Sequence, residues 1–198
     1  MSVGTITPKL ICGMFSRGYR AVLGAGHCWI LKSSTPLDPI LDEIELALDA
    51  KFFYLAIALT TTLPDMCAAL ISDDGRSEPR RYKAWLDENR GDKFSFLTAK
   101  DFYSLRCGVV HQGRLGDLQH DIKRVVFLLP GRGTIINGQI NDAYVYSAVD
   151  FCHDLMDIVR AWYETHSDDP NVVKNVPNLV RYRPDGMVPY IVGQAVIA

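Results

Sequence analysis

Arg106 and His111 stand five residues apart in the segment Leu105-Arg106-Cys107-Gly108-Val109-Val110-His111, which continues directly into Gln112, Gly113 and Arg114. A guanidinium is a permanent cation with a planar fork of donors that matches a phosphate, and an imidazole can take or give a proton near neutral pH. Together they are suited to cleaving a phosphodiester. The preferred substrate is RNA, whose 2'-hydroxyl supplies the nucleophile, so the chemistry calls for no metal and no cofactor. Cys107 and Gln112 flank the pair as supporting residues, and Asp49 and Asp65, on neighbouring predicted helices, are candidates to orient Arg106. The plain alternative is a histidine that caps its helix and an arginine that pairs with an acidic neighbour.

Geometry sets a condition on the catalytic reading. Five residues of ideal α-helix turn through about 140° and rise about 7.5 Å, which keeps the two side chains from lying over one another. Either arginine's reach or a loosened last turn must bring them together, and Gly108, Val109 and Val110 are poor α-helix formers at the required place. A single pair also offers one titrating group where cleavage needs an acid and a base. A symmetric homodimer would bring two such pairs into one cleft.

The elements that must carry these residues read as mainly helical. Asp38-Pro39 opens a long apolar periodicity through Ile40, Leu41, Ile44, Leu48, Phe52, Leu55 and Leu59, and Pro64 restarts a shorter helix from Asp65 to Ile71. A helix over Glu78 to Glu88 follows, with Ser77 as its cap. Thr98-Ala99-Lys100-Asp101 has capping-box spacing and starts the helix bearing Arg106, which Gly113 ends. Val125 to Leu129 and Thr134 to Ile136 read as a β-hairpin around Pro130-Gly131-Arg132-Gly133, with Asn137-Gly138 a second tight turn. A second capping-box pattern at Ser147 to Asp150 opens an amphipathic helix to about His166, with Cys152, Leu155, Met156 and Val159 on its buried stripe. Short strands are expected near the ends, around Ala21 to Leu23, Cys28 to Leu31, Leu179 to Tyr182 and Val188 to Val192.

Lys and Arg number 21 against 23 Asp and Glu, a net charge of -2, so nothing draws the whole chain to nucleic acid or to an anionic membrane. The longest uncharged run, Phe52 to Pro64, is about 13 residues against the roughly 20 of a membrane span. With five scattered cysteines, this predicts a soluble, cytoplasmic protein. His27 with Cys28, and Cys152 with His153 and Asp154, lack the spaced second pair of a structural zinc site, so no metal is assigned. A Cys107 nucleophile with His111 as its base is a further, weaker alternative.

The segment Leu105 to Gly113 resembles the HEPN superfamily, helical domains whose ribonuclease members carry an Arg, four to six intervening residues and a His. The likeness extends loosely over residues 38 to 166. It implies a HEPN-like helical bundle with a β-hairpin insertion over 37 to 166, an N-terminal extension at 1 to 36, and a C-terminal extension at 167 to 198 packed on the same domain. It also implies a homodimer acting as a metal-independent endoribonuclease through Arg106 and His111, with an antitoxin or other protein partner in toxin-like members. Active members often place Asn, Asp or His after the arginine, where this chain has Cys107. Other members are inactive binding or dimerisation modules, which is the alternative reading here.

Overall fold

The computed structural model describes residues 19–24, 27–32, 35–115, 123–131 and 137–198, the first two segments as backbone alone. Two units divide between Thr35 and Pro36. In the first, β1 (Tyr19–Gly24) and β2 (His27–Lys32) pair antiparallel, with Tyr19 opposite Lys32 and Gly24 opposite His27. His27 and Cys28, to which no metal is assigned, lie on β2, outside the residues whose side chains are described.

The second unit is mainly helical. Its order is α1 (Asp38–Asp49), α2 (Phe53–Ile71), α3 (Pro79–Asn89), α4 (Ala99–Cys107), β3 (Arg124–Leu128), β4 (Gly138–Ile140), β5 (Ala143–Ser147), α5 (Ala148–His166) and α6 (Pro170–Asn175). Four two-residue strands close the chain: β6 (Tyr182–Arg183), β7 (Gly186–Met187), β8 (Ile191–Val192) and β9 (Val196–Ile197). Helix α2 packs against α1, α3, α4, α5 and α6, and its Ala56, Leu63, Cys67 and Leu70 join Leu41, Ile44, Phe102, Phe151 and Leu155 in the core. Around Phe94, the rings of Phe102, Tyr146 and Phe151 meet edge to face at 5.1, 6.0 and 5.6 Å, which fastens α4 to α5 and the small sheet.

The break in the first long helix falls at Lys51 rather than Pro64. Phe52 N–H donates to Ala47 O and Lys51 N–H to Leu48 O, the two reversed bonds of a Schellman stop, with Lys51 at φ 62° where glycine usually sits. Pro64 is tolerated inside α2. Just before it, the Thr61 and Thr62 hydroxyls donate to the Ala58 and Leu59 carbonyls, and the buried Tyr82 hydroxyl donates to Thr61 O at 3.0 Å. The resulting 19-residue α2 is longer than the uncharged run read from sequence, and by length and composition it could cross a membrane. Half of its apolar window is buried as the central helix of this bundle.

The sheet also departs from a simple hairpin. Its order is β3-β5-β4, with β3 parallel to β5 and β4 antiparallel to it, and the tight reversal sits at Asn141-Asp142, with Asn141 at φ 53°. Gly138 begins a strand instead of ending a turn, and Asn137 accepts the Ser147 amide. The expected strand at Thr134 to Ile136 lies outside the described residues.

α6 was not expected from its breaker-rich start; Asp169 caps it, accepting from the amides of Asn171 and Val172. Its buried Asn175 then donates from Nδ2 to the carbonyls of Leu70 (3.0 Å) and Ser72 (2.7 Å), closing the end of α2. Leaving those carbonyls unpaired costs about 1–3 kcal/mol. Asn175→Ala is therefore expected to lower the unfolding free energy by that amount, read as a lower urea midpoint at an unchanged m value, and an unmoved midpoint would refute the capping role.

Candidate active site

The helix that carries Arg106 starts from a complete capping box. Thr98 Oγ1 accepts the Asp101 amide and Asp101 Oδ2 accepts the Thr98 amide, each at 3.1 Å, while Phe102 and Leu105 anchor the helix in the core. After Cys107 the winding widens into a single π turn over Gly108–Gln112. Hydrogen bonds in such a turn run from residue i to i+5, so the fifth residue comes back nearly over the first. That meets the geometric condition: Arg106 Nη1 and His111 Nε2 lie 2.8 Å apart. A guanidinium only donates, so Nε2 is the acceptor and this contact requires the neutral ring carrying its proton on Nδ1.

Several contacts hold the wide turn open. Gly113 and Arg114 both direct their N–H groups to Gly108 O, with Gly113 left-handed at φ 65°. The carbonyl of Val109, which an α-helix would have paired with the Gly113 amide, instead accepts the Tyr54 hydroxyl of α2 at 2.6 Å. Gly108 meets a steric demand as well as a conformational one, because a Cβ there would stand 2.6 Å from Arg114 O.

Helix α2 supplies the anion that steers Arg106. Asp65 Oδ2 accepts from Arg106 Nε at 2.9 Å, and Asp65 Oδ1 accepts from the Ser77 hydroxyl at 2.8 Å. Both ion-pair side chains are about four-fifths covered, at 21% exposure each. Partial burial opposes the charged form of Arg106, but Asp65 and the neighbouring Cys107 thiol outweigh it and raise its pKa above the ordinary value. Cys107 also meets the Tyr103 hydroxyl; burial first, and then this contact, raise the tyrosine.

Of the residues singled out from sequence, Arg106, His111 and Asp65 thus come together, and Cys107 lies against Arg106. Gln112 does not join them; it is exposed, and its Oε1 accepts from Arg114 Nε at 2.6 Å. Asp49 is likewise elsewhere, at the exposed end of α1, in a cleft with Glu45, Lys51, Phe53 and His153. Its position follows from the Schellman stop, which ends α1 just beyond it and sends the chain into α2. Ser77, through Asp65, and Tyr54, through Val109, support the site without having been expected there. Ser77, placed before Glu78-Pro79, has a cap's signature, yet Glu78 takes the N-cap position and makes no side-chain cap bond. Nothing local marks Tyr54, whose partner is 55 residues away.

The three consecutive residues at 152–154 diverge around α5. Cys152 is buried, which pushes its thiol up to about 11. His153 Nε2 lies 3.0 Å from Glu45 Oε2, and Asp154 binds Lys93 Nζ at 2.5 Å and the Tyr146 hydroxyl at 2.6 Å. Among the described residues, no group of three or more His, Cys, Asp or Glu is arranged to hold a metal ion.

No family model, no curated protein and no solved structure matches the chain.

The π turn can be tested directly. Gly108→Ala is expected to force Arg114 away from the turn and release His111, seen as a changed imidazole resonance and a loss of stability of about 1–3 kcal/mol. Tyr54→Phe keeps the ring and removes only the hydroxyl, so it should perturb the same resonance with a smaller loss of about 1 kcal/mol. A His111 signal unaltered in both variants would contradict this account of the turn.

Proposed function

We propose that the protein is a HEPN-like, metal-independent endoribonuclease working as a homodimer in the reducing cytoplasm, with Arg106 and His111 as its catalytic residues. The observation that carries the reading is the 2.8 Å approach of an Asp65-steered guanidinium to an exposed imidazole. A neutral His111 takes the proton of a ribose 2'-hydroxyl at Nε2; the 2'-oxygen then bonds to phosphorus, and the bond to the 5'-oxygen breaks. Arg106 binds the non-bridging oxygens and stabilises the negative charge that builds on them, the part a metal ion plays in other nucleases. The departing 5'-oxygen needs a proton, and the protonated His111 of a second copy supplies it.

Support for a second copy comes from the apolar surface next to the pair. Phe52, Tyr54 and Leu55 at the start of α2 are 62%, 57% and 55% exposed, and Val110 in the π turn is 40% exposed. Tyr54 joins this surface to the turn through its bond to Val109 O. A self-complementary contact across these side chains would remove apolar area from water beside the reacting groups.

One observation favours the silent alternative, a helical binding or dimerisation module. Arg106 and His111 satisfy one another, and Asp65 completes the arginine's ion pair, an arrangement that also serves simply to end a helix. Activity decides between the readings.

Purified protein is expected to cleave single-stranded RNA in EDTA and to leave DNA of the same sequence intact. His111→Ala and Arg106→Ala should each lower the rate at least a hundredfold. Asp65→Asn, which leaves Arg106 in place but loosely held, should lower it about tenfold. Leu55→Glu should convert dimer to monomer in sedimentation and lose activity in parallel. Unchanged cleavage by His111→Ala would point to contamination or another site, and an unaltered protein that cleaves no RNA would favour the binding module.

A further inference from the structure

Asp49 lies away from Arg106, in a cleft of about 350 Å³ formed by the end of α1, the start of α2, the first turns of α5 and the chain leaving β3. Its polar lining is Glu45, Asp49, Lys51 and His153, and Phe53 and Pro130 supply flat apolar walls. That volume sits at the lower end of the roughly 300–1,000 Å³ of small-molecule sites, enough for one planar ring system. Glu45 Oε2 and His153 Nε2 pair at 3.0 Å, which commits that carboxylate oxygen and that ring nitrogen to each other. Asp49 and Lys51, two residues apart across the Schellman stop, are the more exposed polar residues at the cleft, beside Glu45 and His153 whose side chains are 40% and 45% exposed.

We infer that this cleft binds a guanine base. An ionised carboxylate offers two adjacent acceptors and an ammonium offers donors only. The ligand edge that complements them carries two adjacent N–H groups followed by an acceptor. Guanine presents that order along its Watson–Crick edge: the exocyclic amine and N1–H face Asp49, and O6 faces Lys51. Adenine has one donor group beside a bare ring nitrogen, cytosine has one donor group and two acceptors, and uracil has a single N–H between two acceptors. Two carboxylates set against one lysine and one histidine give the cleft no net attraction for phosphate, so the base is the recognised part. Phe53 and Pro130 offer faces for the ring to lie against, as single-stranded RNA readers commonly do with splayed bases.

Phe53 in the cleft and Tyr54, whose hydroxyl holds Val109 O, are consecutive residues at the start of α2. Helix α2 thus carries both a wall of the cleft and the tether of the Arg106–His111 turn, and a guanine of the RNA substrate is one source of the ligand; this part rests on the nuclease reading. A free guanine nucleotide is the other source, and it does not depend on that reading.

Titration of the full chain with the four nucleoside monophosphates, followed by NMR, is expected to give GMP at least tenfold tighter binding than AMP, CMP or UMP, with shifts at Phe53 and His153. Inosine monophosphate, which lacks the exocyclic amine, should bind several-fold more weakly than GMP. Asp49→Asn and, as an independent variant, Lys51→Gln should each weaken GMP binding at least tenfold while leaving the thermal transition in place. Equal binding of all four nucleotides, no binding of GMP, or GMP binding indifferent to both variants would overturn the proposal. Mapping RNA cuts separates the two sources: cleavage beside guanosine that becomes sequence-indifferent in Asp49→Asn assigns the cleft to the substrate base. Sequence-indifferent cleavage by a protein that still selects GMP assigns it to a free nucleotide. An RNA assay with no His111-dependent cleavage removes the nuclease reading and leaves the GMP result to judge the cleft.

Discussion

One exchange of hydrogen bonds governs the site. The Gly113 amide bonds to Gly108 O, five residues back, where an α-helix would have given it to Val109. The extra residue in that turn brings His111 over Arg106, since continued α-winding would separate them by about 140°. The exchange leaves the Val109 carbonyl in need of a donor, and Tyr54 provides it from another helix. A buried carbonyl without a partner would cost about 1–3 kcal/mol, so the geometry of the Arg106–His111 pair depends on α2 as well as on α4.

Helix α2 supports both halves of the pair. Tyr54 and Asp65 are eleven residues apart, about three helical turns, which puts them on nearly the same face of α2. One reaches the π turn that bears His111 and the other reaches Arg106. Ser77 fixes the second Asp65 oxygen, so the carboxylate cannot rotate freely away from the guanidinium. The pair is thus preorganised from two points on a single central helix, and the core around Phe94 and Phe151 keeps α4 and the sheet in register with it.

What could be read from the sequence follows the range of the interactions concerned. The Thr98–Asp101 box, the Ser147 cap and the apolar stripe of α5 rest on residues within four of one another, and each is present. Asp65 was legible as a candidate partner for Arg106 because it begins a turn after Pro64, yet Asp49 had the same standing until the bend at Lys51 separated them. That bend carries a lysine where a glycine would have announced it, and Pro64, which looked like the break, lies inside α2. The parallel pairing of β3 with β5 and the reach of Tyr54 to Val109 are long-range choices without a local signature. The π turn lies between these cases: Gly108 and two valines weaken the α-helix locally, but the tether that stabilises the wider turn comes from elsewhere.

At the start of α2, Phe53 lines the cleft proposed for a base and Tyr54 tethers the turn that bears the pair proposed for a phosphate. The claim that Arg106 and His111 act on one phosphodiester through the ribose 2'-hydroxyl is tested most directly by mass spectrometry of the RNA fragments produced in EDTA. The account predicts 2',3'-cyclic phosphate on one new end and a 5'-hydroxyl on the other. Fragments ending in 3'-hydroxyl and 5'-phosphate would contradict it, because they require attack by water instead of the neighbouring ribose.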